Sequence, residues 1–320
     1  MTEVTLCEMS PRDGLQFLGA HADTPRMVPL EQKLALVAAL QDAHLPYIEV
    51  GAYVSPKATP QMADTDELAR RIEPRVGVQL AALVPNLKHY ERLRGGRCDT
   101  VALFVSASEG YSQKNMGVSL EQALKWAREV ANAATADGRR LRAHVSGAFQ
   151  DVFSGDDADI ASVVEVVKEL RAMRCACVAL ADTNGQTHPR RIREVIRAVG
   201  DAVSLGAIAV HLHDRAGQGI VNAFAAFEAG VRTFDASVGG LGGSTKALGG
   251  KASGGATAGN VATEELVELF EREGVRTGVD RGALGRAGEI IHEITELTGD
   301  GAPPSRALRE MLHYGLRWQR

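Results

Sequence analysis

The chain has 320 residues, 45% of them apolar and 24% charged, with 34 Gly, 4 Cys and a formal charge of −4. That apolar fraction supports a large core and excludes disorder, and the near-neutral charge offers no basic field to nucleic acid or an anionic membrane. Four cysteines cannot staple a chain this long and no apolar run reaches the ~18–20 residues that cross a bilayer, while MTEVTLCEMS opens as a strand rather than a leader, so a reducing, cytoplasmic setting is expected.

Short β-rich runs then alternate with longer helical patterns. Strands are predicted at VTLCEM (from Val4), YIEVGAYV (Tyr47), VQLAALV (Val78), TVALFVSA (Thr100), LRAHVSG (Leu141), CVALAD (Cys177), AIAVHLHD (Ala207) and TFDASVGG (Thr233). Each is apolar or alternating and stops near Ser, Asp, Gly or Pro, as a strand buried in a parallel sheet does. Helices are predicted between them over 30–43, 61–72, 87–94, 120–136, 157–173, 190–199, 220–229 and 264–273. Ser119 with Gln122, and Thr263 before Glu264 and Glu265, mark two helix starts. Eight strand–helix repeats make the count of a (β/α)8 TIM barrel; a doubly wound α/β sheet is the alternative, since periodicity does not show closure.

The expected division is a catalytic barrel over residues 1–277 and a C-terminal helical extension over 278–320 packed on it, with helices at 282–297 and 305–318. The last sets Arg306, Arg309, Arg317 and Arg320 against Leu308, Met311, Leu312 and Leu316. That amphipathic face suits packing on the barrel or on a second copy in a homo-oligomer better than a membrane.

In such a barrel, chemistry collects at the C-terminal ends of the strands. The first strand runs into Ser10-Pro11-Arg12-Asp13-Gly14-Leu15-Gln16, which sets a guanidinium, a carboxylate and an amide side by side. In the seventh, His211 and His213 stand two apart, so a strand aims both imidazoles to one side, with Leu212 facing the helix layer and Asp214 next door. Paired imidazoles form half of a metal site. Glu49, within the apolar run YIEVG, is costly to bury alone, and Arg12 at the adjacent strand end is its expected partner. Asp182, Thr183 and Asn184 add polar groups to the same rim. Nine glycines lie between Gly239 and Gly259, in a spacing that matches neither a dinucleotide turn nor a phosphate loop and suits close approach to a ligand. Cys7, Cys98, Cys175 and Cys177 read as structural, because Cys175-Ala-Cys177 lacks a second pair for zinc.

SPRDGLQ, IEVGAYVSPKATPQMAD, SEGYSQKN, LADTNGQ, HLHDRAGQG and SVGGLGG…GNVATEEL occur in this order from Ser10 to Leu266. Together they resemble the 3-hydroxy-3-methylglutaryl-CoA lyases and their relatives among metal-dependent aldol/Claisen barrels. The resemblance implies a divalent cation, Mg²⁺ or Mn²⁺, held by Asp13, His211, His213 and Asn260. It implies a catalytic set of Arg12, Asp13, Glu49, His211 and Ser244, with Arg12, Gln16 and Thr183 around an acyl-CoA thioester. The implied reaction breaks the C2–C3 bond of the substrate, Arg12 steadies the enolate of acetyl-CoA, and a general acid protonates its carbon. The sequence departs from the family where those lyases carry a cysteine after GLGG: Ser244-Thr245-Lys246 stands there, and the loop to Asn260 is longer. A serine hydroxyl is a far weaker acid than a thiol of pKa ~8.5. The expected activity is a carbon–carbon lyase giving acetyl-CoA and acetoacetate. The alternatives are a lyase for a related thioester such as citramalyl-CoA, giving pyruvate, a condensing synthase of the isopropylmalate or homocitrate type, or a silent barrel that binds a CoA thioester or scaffolds a partner.

Overall fold

The computed structural model describes residues 2–19, 26–243, 259–301, 303 and 305–314. In chain order they form β1 (Thr5–Glu8), α1 (Leu30–Asp42), β2 (Tyr47–Ala52), α2 (Thr65–Arg71), β3 (Gln79–Leu83), α3 (Leu87–Leu93), β4 (Thr100–Ser106), α4 (Glu109–Met116), α5 (Leu120–Ala136), β5 (Arg140–Ser146) and α6 (Ile160–Ala172). They continue with β6 (Cys177–Asp182), α7 (Pro189–Ala202), β7 (Ile208–Leu212), α8 (Gly219–Glu228), β8 (Thr233–Ala236), α9 (Thr263–Arg272), α10 (Arg281–Thr298) and α11 (Arg306–Tyr314). Every strand pairs in parallel with its successor and β8 pairs with β1, through Leu6↔Phe234 and Cys7↔Asp235, so the sheet closes into the expected eight-stranded barrel.

Side chains alternate along each strand, and the two faces differ sharply here. The face toward the helices carries Ile48, Val50, Leu80, Val101, Leu103, Val145, Val178, Leu180, Val210, Leu212 and Phe234, all buried in one continuous apolar core. The inner face holds a small separate apolar cluster, Cys7, Met9, Tyr47 and Ala81, together with the buried polar groups Glu49, Arg142, His144, His211 and Asp235. A barrel interior this polar needs internal partners for each group, and those partners make the site.

Several local elements differ from expectation. The helix expected over 61–72 breaks into a short turn, Pro60–Met62, and α2, because the Thr65 hydroxyl donates to the carbonyls of Met62 (2.8 Å) and Ala52 (3.2 Å) and restarts the chain. α4 lies in a stretch with little apolar periodicity. It is fixed instead by its ends, the Ser108 side chain accepting from Tyr111 N–H and Gly117 closing in the left-handed region. Ser119 caps α5 as expected, accepting from Gln122 N–H at 3.2 Å. Thr263 does not cap α9. It is the first helical residue, and its hydroxyl donates to buried Glu8 at 2.7 Å.

Beyond α9, the residues Ile291 and Ile294 of α10 and Leu308 of α11 are buried with the barrel core. Residues 315–320, which include the end of the expected last helix and Leu316, Arg317 and Arg320, lie outside the described residues, as do the side chains of Met311 and Leu312. All four cysteines are free. Among the described residues no helix is long and apolar enough to cross a membrane.

Candidate active site

The site begins where β1 ends. Ser10–Gly14 winds as a single π-helical turn with Pro11 in its first positions, and Leu15 N–H donates to Ser10 C=O at 3.0 Å. Wide turns of this kind are rare and recur at functional sites. This one is pinned from outside the barrel by Glu8, whose carboxylate accepts from Ser10 N–H (2.9 Å) and Val238 N–H (3.1 Å). Arg12 and Asp13 are consequently buried at the barrel mouth, 7% and 4% exposed.

Arg12 is clamped between two carboxylates. Its Nε donates to Glu49 Oε1 at 2.5 Å and its Nη1 pairs with Asp13 Oδ1. Nη2 has no partner among the described residues. Glu49 Oε2 accepts in turn from the Tyr47 hydroxyl (3.1 Å) and meets His144 Nε2 at 2.9 Å. Burial alone would raise the Glu49 carboxyl pKa, but Arg12 and His144 outweigh it and hold the group well below the carboxylate range. Asp13 is likewise held ionised against its burial, chiefly by Arg12 and then by His213 and His211.

The two histidines come from the end of β7. His211 Nδ1 lies 3.1 Å from Asp235 Oδ2, and His213 Nδ1 lies 3.1 Å from the Thr183 carbonyl. Asp235 is paired with Arg142, which offsets the cost of burial and keeps its carboxyl pKa low. A carboxylate and a carbonyl only accept, so each neutral ring carries its proton on Nδ1 and turns a bare Nε2 inward. Burial lowers the pKa of His211, with Asp235 opposing it, whereas at His213 the Asp13 carboxylate outweighs burial and raises the pKa.

The two Nε2 atoms lie 3.2 Å apart, with Asp13 Oδ2 at 4.0 and 3.7 Å from them. Adjacent ligands of an octahedral ion with ~2.1 Å bonds lie about 3 Å apart. Asn260 donates Nδ2 to Asp13 Oδ2 (2.6 Å) and to the Leu241 carbonyl (2.8 Å), while its Oδ1 is buried with no partner. Two facing lone pairs, a carboxylate and an orphaned amide oxygen fit a divalent cation. A second cluster, His144, His211 and Asp235, is less suited, because Asp235 is already taken by Arg142 and His211.

Gln16 Nε2 donates to Asp13 Oδ1 at 2.5 Å and reaches the Gly243 carbonyl at 3.4 Å. The Thr183 hydroxyl oxygen accepts from Gly147 N–H at 2.9 Å. Arg12, Asp13, Gln16, Thr183, His211 and His213 all line one cavity of about 490 Å³. Asp214 turns away from it and accepts instead from Gly219 N–H at the start of α8. Ser244 lies outside the described residues. The sequence reading missed Arg142, His144 and Asp235. Each breaks an apolar strand as Glu49 does, and that common feature was the available sign.

Fold and site define a class: a closed (β/α)8 barrel with a buried carboxylate–imidazole metal group beside a doubly clamped arginine. The chain belongs to the HMGL-like family, whose model matches residues 3–291. It is 38% identical over 288 residues to the mitochondrial hydroxymethylglutaryl-CoA lyase of Gallus gallus, covering 90% of this chain and 92% of that one. The crystal structure of hydroxymethylglutaryl-CoA lyase from Pseudomonas aeruginosa superposes with a TM-score of 0.88 at 37% identity, over 98% of both chains. An HMG-CoA lyase from Acinetobacter baumannii in complex with coenzyme A and 3-methylmalate gives 0.86 at 29% identity, over 99% of this chain and 97% of that one.

Proposed function

We propose that the protein is a divalent-metal-dependent acyl-CoA lyase that cleaves 3-hydroxy-3-methylglutaryl-CoA, or a close homologue, to acetyl-CoA and a keto acid, acetoacetate for that substrate. The observation that carries this reading is the juxtaposition of the facing Nε2 atoms of His211 and His213 with Asp13, and of Asp13 with Arg12. It sets a cation pocket beside a fixed positive charge in one cavity, and the named relatives act on such a thioester.

Asp13, His211, His213 and Asn260 are the residues that would hold Mg²⁺ or Mn²⁺. When bound, the cation supplies Lewis acidity to the tertiary hydroxyl and a neighbouring substrate oxygen, lowering the pKa of that hydroxyl. Transfer of the hydroxyl proton to a general base lets the C2–C3 bond break, the oxygen becoming the carbonyl of the keto acid and the bond's electron pair moving into the thioester as an enolate. Arg12 meets that charge: Glu49 and Asp13 fix its guanidinium, and Nη2 remains to donate to the enolate oxygen. A preorganised donor of this kind contributes a few kcal/mol in a dry site. Thr183 and Gln16 line the same cavity and would orient the acyl group. Protonation of the enolate carbon completes acetyl-CoA. In the expected layout the catalytic machinery occupies residues 1–277, with 278–320 a supporting extension and Ser244 standing where related lyases keep a thiol.

The test is a panel of 3-hydroxyacyl-CoA thioesters, including 3-hydroxy-3-methylglutaryl-CoA and citramalyl-CoA, incubated with Mg²⁺ or Mn²⁺ and followed by release of acetyl-CoA. Cleavage that EDTA abolishes is expected, and its distribution over the panel names the substrate. A protein that binds Mn²⁺ and splits no member of the panel is a silent barrel, and the reading fails.

A further inference from the structure

Resting on that reading, we infer that His144 is a positioning residue of the site: its Nε2–H holds Glu49, and through Glu49 the Arg12 guanidinium, in the orientation that receives the developing negative charge. His144 sits near the C-terminal end of β5, inside the barrel, and is 4% exposed. It lines the same cavity as Arg12 and His211. Its Nε2 lies 2.9 Å from Glu49 Oε2, and its Nδ1 lies 3.7 Å from Asp235 Oδ2. Its ring meets that of His211 nearly edge-on, with centroids 5.7 Å apart. Glu49 accepts from Arg12 at Oε1 and from Tyr47 at Oε2, so the remaining contact at Oε2 needs a donor, and Nε2 is the ring atom placed to give it.

The consequence is geometric. A carboxylate accepting on both oxygens from three rigidly mounted groups cannot rotate, and a guanidinium bonded to it through Nε keeps its plane. Without the His144 donor, Glu49 loses one of two contacts at Oε2 and gains freedom about its last torsion. Arg12 then retains its charge and loses its aim, and a misplacement of this order lowers the rate of a step while leaving ground-state binding largely intact. The two imidazoles of the metal group have anchors of their own, Asp235 on His211 and the Thr183 carbonyl on His213.

Two variants and two readouts test this. His144→Phe keeps an aromatic ring and removes the donor; His144→Gln keeps an N–H at similar reach. In His144→Phe, kcat for thioester cleavage is expected to fall about 10- to 100-fold, with KM and the calorimetric Kd for Mn²⁺ within about threefold of the parent; His144→Gln is expected to recover at least a third of the lost rate. Independently of turnover, the Arg12 Nε–H proton, assigned in the ¹⁵N spectrum by its loss in Arg12→Lys, is expected to exchange with solvent at least tenfold faster in His144→Phe and at the parent rate in His144→Gln. Unchanged exchange in His144→Phe overturns the inference, as does a fall in rate that is accompanied by an equal loss of Mn²⁺ affinity and is not rescued by Gln. Should the parent cleave no thioester, the functional reading fails, and the exchange measurement still decides the role of His144.

Discussion

Arg12 gathers the chemistry of this site at the scale of single residues. With Glu49 on Nε and Asp13 on Nη1, its plane is fixed, and in the proposed reaction the two N–H groups of Nη2 are the ones left for the substrate. Replacing it with a neutral planar side chain, Arg12→Gln, is expected to cut kcat about 10²- to 10³-fold, while Mn²⁺ still binds within about threefold of the parent by calorimetry. Loss of metal affinity in step with activity would place Arg12 in the metal pocket instead. His213→Ala removes one of the two inward lone pairs. Mn²⁺ at a hundredfold excess over its Kd stabilises the parent by about 2.7 kcal/mol, and in this variant the metal-induced rise in Tm is expected to vanish. Arg12, Asp13, Glu49, His211 and His213 stood out in the sequence because each is a charged or imidazole group within an apolar strand or just past its end. Arg142, His144 and Asp235 carry the same mark, but their partners are set by barrel register, as in His211↔Asp235 across β7 and β8. Glu49 and His144 meet across 95 positions of sequence, a distance no local pattern spans.

At the scale of elements, the site depends on a π-turn and on two chain segments brought into contact beside Asn260. Gly242 has φ +115°, and a Cβ there would stand 2.3 Å from Asn260 Nδ2 and 2.7 Å from Asp13 Oδ2; at Gly259 a Cβ would stand 2.1 Å from the Gly242 carbonyl oxygen. Neither position admits a side chain without moving the metal group. Gly259→Ala is therefore expected to weaken Mn²⁺ binding at least tenfold by calorimetry while far-UV circular dichroism stays that of the intact barrel. Parent-like affinity would show that the two segments adapt freely. The concentration of glycine here was readable in the sequence, but which glycines face a ligand atom was not, since the approach is between segments rather than along one. The π-turn was hidden for a related reason. SPRDG carries no periodic signature, and its hold comes from Glu8 on the opposite face of β1. α4 was equally silent, being defined by Ser108 and Gly117 at its ends rather than by an apolar stripe.

At the scale of the whole molecule, the count of eight strand–helix repeats was legible from alternation, and closure was not, because the β1–β8 pairing joins the two ends of the barrel sequence. The turn after β8 is tied to α9 by the buried carboxyl of Glu264, which accepts from Gly239 N–H at 3.1 Å. Burial pushes the Glu264 pKa from 4.5 up to about 7. The native state therefore keeps a proton that the unfolded chain releases, and stability falls as pH rises through that window, by on the order of 3 kcal/mol in total. Glu264→Gln lacks this loss. Urea unfolding of the two proteins at pH 5 and pH 8 is expected to show a smaller decline for the variant, and parallel declines would assign the pH dependence to other groups. Carbon–carbon cleavage through a thioester enolate, the reaction proposed for this barrel, is tested by incubating the protein with 3-hydroxy-3-methylglutaryl-CoA and Mg²⁺ in D₂O and analysing acetyl-CoA by mass spectrometry at early conversion. One deuterium in the acetyl methyl group of the product is expected. Intact substrate, or acetyl-CoA without deuterium, would contradict it.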